Sequence, residues 1–375
     1  MGIRALHRLF FTHLAHLKGS GPCAFSYRRL VVGNSVIGIK PIAVADLADI
    51  VGSEVSTVNR LAAGELLAMM DLCAKRVVDV FLSPCLGTEE NISMCTVGVT
   101  NTTFWSPVLQ GDVVRMNGRV VYCGSTSLGV YIRFFRHSAT SSDETIAGES
   151  YFTMVTIDGQ LRAVKVVPAV ELTEKEDICH YERYMTARAH AKEGDKTNPA
   201  LRQECITVED VQCPVNLAKH LHVAIASTRT TAQRIFLNYH MNNNRTIFGG
   251  ELMRWMERHA VHCARMFTKN RHVFTLRMHS VEFRQPVLGT DWVSLDAEVV
   301  YVHNTTMEVD VRVEVERTGR VVLTNRASFT IINTNEIAQK TSVTKGIDLG
   351  VATQEELLRF AEAKRRYHSR LLGRT

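Results

Sequence analysis

The chain of 375 residues is longer than one ordinary domain, and its 45% hydrophobic and 22% charged residues are typical of a globular protein, which argues against disorder. No apolar run approaches the roughly 18 residues that a membrane-spanning helix needs, so we expect no membrane span. The net charge of +6 depends on five basic residues within residues 1–30; removing those five from the 44 basic residues leaves 39 against 38 acidic ones, so nucleic acid is not an expected partner.

The first predicted element is a targeting segment, residues 1–30. Its apolar residues fall on one helical face beside basic residues, and no acidic residue occurs before Asp46. This pattern is typical of a mitochondrial transit segment, so the mitochondrial matrix is the expected destination. His13 and His16 interrupt the apolar run that a secretory signal would need. An ordinary N-terminal helix and a peroxisomal-type N-terminal address are the alternatives that stay open.

The first half of the chain, residues 31–192, is predicted to form one α+β unit. An opening strand, "RRLVVGNSVIGI", precedes the helix "GELLAMMDLCAKRVVDVF", and four runs with β-branched alternation follow, separated by turn signals. A closing helix begins with a capping box formed by Thr173 and Glu176. The polar segment 193–225 is the expected linker.

The second half, residues 226–375, repeats the first in order and spacing. "GELLAMMDLCAKRVVDVF" matches "GELMRWMERHAVHCARMF", "FWSPVLQGDVV" matches "FRQPVLGTDWV", and the later strand runs agree as well. The opening strand is "TTAQRIFLNYHM", and Thr353 with Glu356 caps the closing helix. We therefore expect a tandem duplication of two α+β units, each with a buried helix wrapped by its own antiparallel sheet.

Each duplicated helix carries an acid among its apolar residues, Asp71 in the first half and Glu257 in the second. A buried acid without a partner costs several kcal/mol or becomes neutral, so both acids need an explanation. One explanation is local: Asp71 would pair with Lys75, and Glu257 would pair with Arg254 or face solvent. The other is that the two helices pack antiparallel, so that each acid faces the loop that begins the other half's helix.

Antiparallel packing predicts two composite sites. Asp71 would meet the loop that contains Asn244 and Gly250, and Glu257 would meet the loop that contains Asn59. Glycines at the positive end of a helix leave backbone N–H groups open, and such groups can hold an oxyanion. The pattern therefore indicates a reaction in which an acid from one half works beside an oxyanion site of the other.

Three stretches carry a resemblance to a known family: "NNNRTIFGGELMRWME", "VEFRQPVLGTDWVSLDAEVVYVHNTTMEVDVRVE" and "ASFTIIN". They resemble the acyl-CoA thioesterases of the hotdog superfamily, in the tandem-hotdog form that includes mitochondrial members, over roughly residues 31–375. The resemblance implies a long helix wrapped by an antiparallel sheet in each half, an intramolecular pseudo-dimer, and hydrolysis of fatty acyl-CoA to free fatty acid and CoA. A homo-oligomer of the pseudo-dimer is a further expectation.

The resemblance also implies a catalytic pair, an Asn in the loop before the helix and an acid on the facing helix. Asn244 with Asp71 fits this pattern. Asn59 with Glu257 fits it less well, because "NRLAAGE" is one residue shorter than "NRTIFGGE" and keeps one glycine. Phe248 stands where the relatives often have His. The pair Asn244 and Asp71 is therefore the favoured site.

Two mechanisms stay open for that site. The N–H of Gly250 and the helix dipole would polarise the thioester carbonyl, and Asn244 would orient water or the substrate. Asp71 would then act as a general base on water, or it would attack the carbonyl directly and form a mixed anhydride.

The side chains that would hold the rest of the substrate are weaker candidates. Met and Trp at helical spacing are usually core residues, and arginines in loops are usually solvated. The candidates are Met253, Trp255 and Met256 for the acyl chain and Arg245, Arg284 and Arg320 for the CoA phosphates.

Other functions have weaker support in the sequence. A hotdog CoA-thioester hydratase would generally need a D-x4-H arrangement, which neither loop has, whereas a catalytically silent acyl-CoA binder or assembly protein stays open. No G-x-S-x-G elbow, P-loop or dinucleotide fingerprint occurs. The nine cysteines contain no C-x-x-C pair, which favours a reducing compartment without disulfides. We expect neither a metal site nor a cofactor.

Overall fold

The structure of the protein is a computed structural model that describes residues 29–32, 35–39, 44–50, 60–85, 92–138, 144–196 and 205–372. Asn59 and nearly all of the predicted targeting segment lie outside the described residues. Among the described helices, none combines the length and the apolar character that crossing a bilayer requires.

The first half contains one long helix, seven strands and a closing helix. Its elements are β1 Arg29–Val32, β2 Ser35–Ile39, β3 Val44–Ile50, α1 Ala63–Leu82, β4 Ser93–Phe104, β5 Val113–Cys123, β6 Ser127–His137, β7 Glu144–Ile157 and α2 Lys175–Lys196.

The prediction of the opening strand in the first half was wrong. The run "RRLVVGNSVIGI" forms a separate two-stranded hairpin, in which Val32 pairs with Ser35. The strand that joins the main sheet is β3, which pairs with β5.

The second half has the same plan with additions at its start. Its elements are α3 Val208–Val211, α4 Pro214–Leu217, β8 Leu221–Val223, β9 Thr230–Ile235, α5 Gly249–Thr268, β10 Val273–Phe283, β11 Trp292–His303, β12 Thr306–Arg317, β13 Arg320–Asn333, β14 Lys345–Ile347 and α6 Gln354–Leu372.

The segment expected to be a linker is partly folded. Helix α2 continues to Lys196, and the described residues after the gap pack on the second half. Strand β8 pairs in parallel with β14. The buried Asn216 side chain donates a hydrogen bond to the carbonyl of Ile347 (2.9 Å) and accepts one from its N–H (2.8 Å). This part of the segment therefore belongs structurally to the second half.

One sheet of ten strands runs through both halves, in the order β3-β5-β6-β7-β4-β10-β13-β12-β11-β9. The halves join where β4 pairs antiparallel with β10, with Val99 opposite Val281. Helices α1 and α5 pack against each other and against this sheet, and their apolar faces form one continuous core with the sheet's inner face. The α+β hotdog arrangement that the resemblance implies is confirmed.

The two central helices cross antiparallel at their N-terminal turns. A Cβ added to Gly64 would lie 2.9 Å from the Cα of Arg254, and one added to Gly250 would lie 2.8 Å from the Cα of Ala68. The start of each helix thus lies against the next turn of the other. Glycine permits this approach, because any side chain there would meet backbone.

A closing helix covers the outer face of each half-sheet. On α6, Arg359 donates a hydrogen bond to Glu298 of β11 (2.6 Å), and both side chains are buried. The capping box of α6 is confirmed, since Thr353 donates to the Glu356 carboxylate through its N–H (2.8 Å) and its hydroxyl (3.0 Å). On α2 the Glu176 carboxylate lies 3.5 Å from Arg119 instead.

Candidate active site

Asp71 lies in the middle of α1 and is 3% exposed. One carboxylate oxygen accepts a hydrogen bond from the backbone N–H of Gly250 (2.8 Å), which belongs to the first turn of α5 in the other half. The other oxygen accepts a hydrogen bond from the Thr96 hydroxyl on β4 (2.5 Å). These groups, the Asp71 centre, bring the acid of one half to the amide-rich helix start of its repeat.

The pKa of Asp71 reflects two opposed effects. Burial favours the neutral carboxyl group and raises the pKa, whereas the hydrogen bonds from Thr96 and Gly250 favour the carboxylate and lower it. Burial is the larger effect and raises the pKa of Asp71 to about 6. An acid with such a pKa can accept and return a proton near neutral pH.

Local ion pairing does not account for the two buried acids. Lys75 pairs with Asp79, 2.7 Å away, and not with Asp71. Arg254 lies 2.8 Å from Glu65 of the other half and does not pair with Glu257. Both acids point inward between the helices, so the explanation by local pairing was wrong.

Asn244 is half-buried in the loop before α5 and reaches the first half. Its side-chain amide donates to the backbone carbonyl of Met94 (3.3 Å), which precedes Thr96 by two positions on β4. The structure therefore brings Asn244 to β4, the strand whose Thr96 is hydrogen-bonded to Asp71. No direct hydrogen bond joins Asn244 to Asp71 among the described residues.

Asn242 shapes this loop, and the sequence analysis did not identify it. Its side-chain oxygen accepts hydrogen bonds from the N–H groups of Asn244 (2.9 Å) and Thr246 (3.2 Å). Arg245 between them adopts a left-handed conformation, with φ of 59°. An Asn two residues before another polar loop residue is a turn signal, which could have indicated this role.

Gly250 does not have the role that the sequence analysis expected. Its N–H is engaged by Asp71, so it anchors the acid. The N–H of the preceding residue, Gly249, has no hydrogen-bond partner in the described part of the chain. A Cβ on Gly249 would lie 3.0 Å from the Asp71 carboxylate, so this open N–H belongs to a residue beside the acid.

Glu257 forms an equivalent centre at the start of α1, which we call the Glu257 centre. The side chain is 3% exposed, and it accepts hydrogen bonds from the Thr275 hydroxyl on β10 (2.6 Å) and from the N–H of Gly64. Burial is again the largest effect and raises its pKa above the ordinary value. The two centres share one plan: a helix acid, a strand threonine and a glycine N–H.

Thr96 and Thr275 were missed in the sequence. They occupy the same position relative to Phe104 and Phe283, the residues that close β4 and β10. Extending the repeat backwards from "FWSPVL" and "FRQPVL" would have matched them. The signal is weak, because only the threonines agree across most of that stretch.

The two loops before the helices align without the expected gap. Arg60 forms an isolated antiparallel β-bridge with Leu109, and Thr246 forms one with Leu288. The two leucines match in the repeat. Arg60 and Thr246 are therefore equivalent, and the stretches from Arg60 to Gly64 and from Thr246 to Gly250 have the same length. Asn59 lies outside the described residues, so its pairing with Glu257 stays a prediction.

The weaker candidates lie outside the Asp71 centre. Met253 and Met256 are fully buried in the core, and Trp255 packs edge-on against Phe236 with ring centroids 5.6 Å apart. Arg284 donates to Glu282 (2.8 Å), and Arg245 is exposed. Arg320 is exposed as well.

A cavity of about 250 Å³ lies between the start of α1 and the middle of α5. It borders Glu257 and Thr275, and Asp71 does not line it. The cavity therefore adjoins the Glu257 centre, which was the less favoured site in the sequence analysis.

Each half of the chain contains a match to a known protein family. The sequence pattern of the thioesterase superfamily matches twice, over residues 61–141 and 244–322. These matches contain both central helices and the next three strands of each half, β4 to β6 and β10 to β12. Both acids and both threonines named above lie within them.

The full-length relatives are distant. Acetyl-coenzyme A thioesterase of Rattus norvegicus is 25% identical over 259 residues, which are 68% of this chain and 44% of the relative. Acyl-coenzyme A thioesterase 11 of Mus musculus is 25% identical over 261 residues, 69% of this chain and 41% of the relative. The chain therefore spans less than half the length of these relatives.

A solved structure is similar to part of the chain. This apo-hexameric acyl-CoA thioesterase is 25% identical, and the similarity covers 41% of this chain and 98% of the solved chain, with a TM-score of 0.39.

Proposed function

Because the chain carries two domains of the thioesterase superfamily, we propose that it hydrolyses acyl-CoA to free fatty acid and CoA at the Asp71 centre. The observation that carries this proposal is the hydrogen bond of 2.8 Å from the Gly250 N–H to Asp71. It joins an ionisable acid of one half to the positive helix end of the other, and a charge-stabilised acyl transfer needs both groups together.

In the proposed mechanism the Asp71 carboxylate removes a proton from water as the water oxygen attacks the thioester carbonyl. The carbonyl oxygen becomes an oxyanion, which the open Gly249 N–H and the N-terminal dipole of α5 stabilise. The tetrahedral intermediate then collapses, the carbon–sulfur bond breaks, and Asp71 returns its proton to the sulfur of CoA. Asn244 orients the water or the thioester from the same loop.

Direct attack by Asp71 is the alternative mechanism. It would form a mixed anhydride and release CoA first, and water would then hydrolyse the anhydride. Label in the Asp71 carboxylate after a single turnover in heavy-oxygen water would identify nucleophilic attack, with water attacking the anhydride at the Asp71 carbon. General-base catalysis puts the label only in the fatty acid, as does attack of water on the acyl carbon of the anhydride.

The test of the function is the release of free thiol from acyl-CoAs of different chain lengths by the full-length protein. We expect turnover by wild type, and loss of kcat by a factor of about 100 or more for Asp71→Asn, since Asn keeps the shape but cannot take the proton. Asp79→Asn, on the same helix but exposed, is the matched control and should keep wild-type activity.

Two results would overturn the proposal. Absence of thiol release with every acyl-CoA, together with binding of acyl-CoA, would support the rival function of a silent binder. Activity that survives Asp71→Asn but is lost in Glu257→Gln would move the reaction to the Glu257 centre.

We also propose that the protein is delivered to the mitochondrial matrix. The support is the basic, acid-free, amphipathic pattern of residues 1–30. A fluorescent protein fused to the C-terminus should enter mitochondria, and deletion of residues 1–30 should leave it outside. Delivery of the fusion to peroxisomes would contradict this proposal.

Association into a homo-oligomer is a further part of the proposal. Strand β9 is an edge strand of the sheet, and Ile235 on it is 50% exposed opposite Trp292, which is 53% exposed. Exposed apolar side chains at a sheet edge favour association. Light scattering should give a mass that is a multiple of the 42.0 kDa chain, and Trp292→Lys should lower it.

A further inference from the structure

The cavity beside Glu257 has apolar walls and three arginines. Its apolar walls come from both halves of the chain. They include Leu66, Phe104, Val108, Val261, Val273 and Phe274. Arg60, Arg258 and Arg265 also line it. Such a lining suits a ligand that has an alkyl part and a negative charge.

Two of these arginines lack a carboxylate partner in the described part of the chain. The Nε of Arg265 is buried and has no hydrogen-bond partner there. The Arg60 guanidinium stacks on the Phe274 ring at 4.6 Å, and burial lowers its pKa from the ordinary value, although Glu257 acts in the opposite direction. Arg258 differs, because it pairs with Glu65. Half-buried guanidinium groups without an ion pair favour an anion, which they can bind through paired hydrogen bonds.

The cavity residues on α5 separate the anion position from the acid. Glu257, Val261 and Arg265 follow one another at intervals of four residues, so they lie on one helix face. At a rise of about 1.5 Å per residue, Arg265 lies about 12 Å along the axis from Glu257. A carboxylate held by Arg265 would therefore be remote from Glu257, and its alkyl chain would extend past Val261.

The cavity volume is compatible with the acyl part of a substrate or product. At about 250 Å³ the cavity has room for an alkyl carboxylate.

The Glu257 centre also lacks groups that hydrolysis would use. The Gly64 N–H is engaged by Glu257, and Ala63 stands where the other half has Gly249.

We propose that this cavity is a binding site for a fatty-acid carboxylate, held by Arg265 and Arg60, and that it does not hydrolyse thioesters. The choice of a fatty acid rests on the proposed function, because the fatty acid is the product of that reaction. The cavity would thus bind product at a place separate from the Asp71 centre.

The test is calorimetric titration of the full-length protein with octanoate. We expect saturable binding by wild type, and affinity lower by about ten-fold or more in Arg265→Gln and Arg60→Gln, because each change removes a charge-assisted hydrogen bond. Val261→Phe, which fills the cavity without changing charge, should weaken binding as well. Arg162→Gln, an exposed arginine that pairs with Asp158, is the matched control.

Asp71→Asn separates this site from the proposed active site. Octanoate should bind this variant with wild-type affinity, whether or not the wild type releases thiol from octanoyl-CoA. No octanoate binding by wild type, or unchanged affinity in both Arg265→Gln and Val261→Phe, would overturn the inference. Loss of binding in Asp71→Asn would also overturn it, since the carboxylate would then occupy the Asp71 centre.

Discussion

The Asp71 carboxyl group is the residue on which the proposed chemistry depends, and its surroundings set its protonation. It is buried, yet each of its oxygens has one hydrogen-bond donor, from Gly250 and Thr96. The donors hold the carboxylate in place, and the low-polarity surroundings keep its pKa well above that of a solvated acid. The group is therefore both positioned and basic enough to activate water.

The first prediction concerns the pH dependence of activity. Since the base must be ionised, kcat/KM should rise as pH increases through about 6, the pKa to which burial raises Asp71. Thiol release from one acyl-CoA across this range gives the measurement. A pH profile of kcat/KM that stays flat from about pH 5 to about pH 8 would contradict the assignment of Asp71 as the base.

The second prediction concerns Thr96, which acts through Asp71. Thr96→Val removes a donor that stabilises the carboxylate, so the acid limb of the pH profile should move upward by about one unit. Thr275→Val makes the same change at the Glu257 centre and should leave the limb in place. Equal shifts in the two variants would show that the threonines affect only general packing.

The repeat predicted part of the site and left part of it out. It identified both acids and the helix starts that they face, because buried charges within apolar helices are conspicuous. It did not identify Thr96 or Asn242, because threonine in a strand and asparagine in a loop are ordinary residues. It also could not show that the Gly250 N–H is occupied by Asp71 and that the Gly249 N–H is open, since this depends on the exact approach of the helices.

At the scale of elements, the crossing of α1 and α5 creates both centres. The crossing is close because Gly64 and Gly250 have no side chain where each helix meets the backbone of the other. Each glycine also donates its N–H to the acid of the opposite helix. The helix crossing therefore both packs the two helices closely and positions the two acids.

The third prediction tests this crossing. In Gly64→Ala the new Cβ would lie 2.9 Å from two backbone atoms of Arg254, which cannot rotate away, so we expect destabilisation of about 1–3 kcal/mol from overpacking. In Gly98→Ala on β4 the Cβ meets ordinary contact at 3.5 Å, so this control should change stability much less. Urea unfolding midpoints give the comparison, and equal midpoints for wild type and Gly64→Ala would contradict the close crossing.

The strand pattern was informative where it continued into the core and less so at the edge of the sheet. Strands β4 to β7 and β10 to β13 follow the predicted runs, because β-branched residues pack on the inner face. Strand β3 was missed because "VADLADI" carries two acids and reads as a loop, whereas "LVVGNSVIGI" reads as one strand and forms a hairpin. Periodicity alone does not say which apolar run will join a sheet.

At the scale of the whole molecule, the two halves are one folding unit. They share one hydrophobic core and one sheet, which is continuous across the pairing of β4 with β10. Separation of the halves would expose the central helices and both acids. We therefore expect a single cooperative unfolding transition for both halves.

The fourth prediction links that stability to the buried acid. Burial raises the pKa of Asp71 in the folded protein from 3.8 to about 6. The protonated acid therefore contributes stability below the unfolded pKa of about 4, and this contribution is lost as pH rises through about 6. Asp71→Asn should then be more stable than wild type at pH 7, by at most about 3 kcal/mol. Urea unfolding should show the gain at pH 7 and little gain at about pH 3 or below, where Asp71 is protonated in both the folded and the unfolded state.

The control for this prediction is Asp79→Asn, which changes an exposed acid on the same helix. It should not show the same dependence on pH. A lower stability of Asp71→Asn at neutral pH would mean that the hydrogen bonds from Gly250 and Thr96 outweigh the cost of burying the charge.

Joining the two repeats in one polypeptide has an evolutionary consequence. In an assembly of identical subunits every substitution is copied into both symmetry-related positions, so paired sites must stay alike. Here Asp71 and Glu257, or Gly249 and Ala63, are encoded separately and can be selected independently. Gene fusion thus permits one position to be kept for turnover while its counterpart is free to acquire sensitivity to the metabolite that turnover releases.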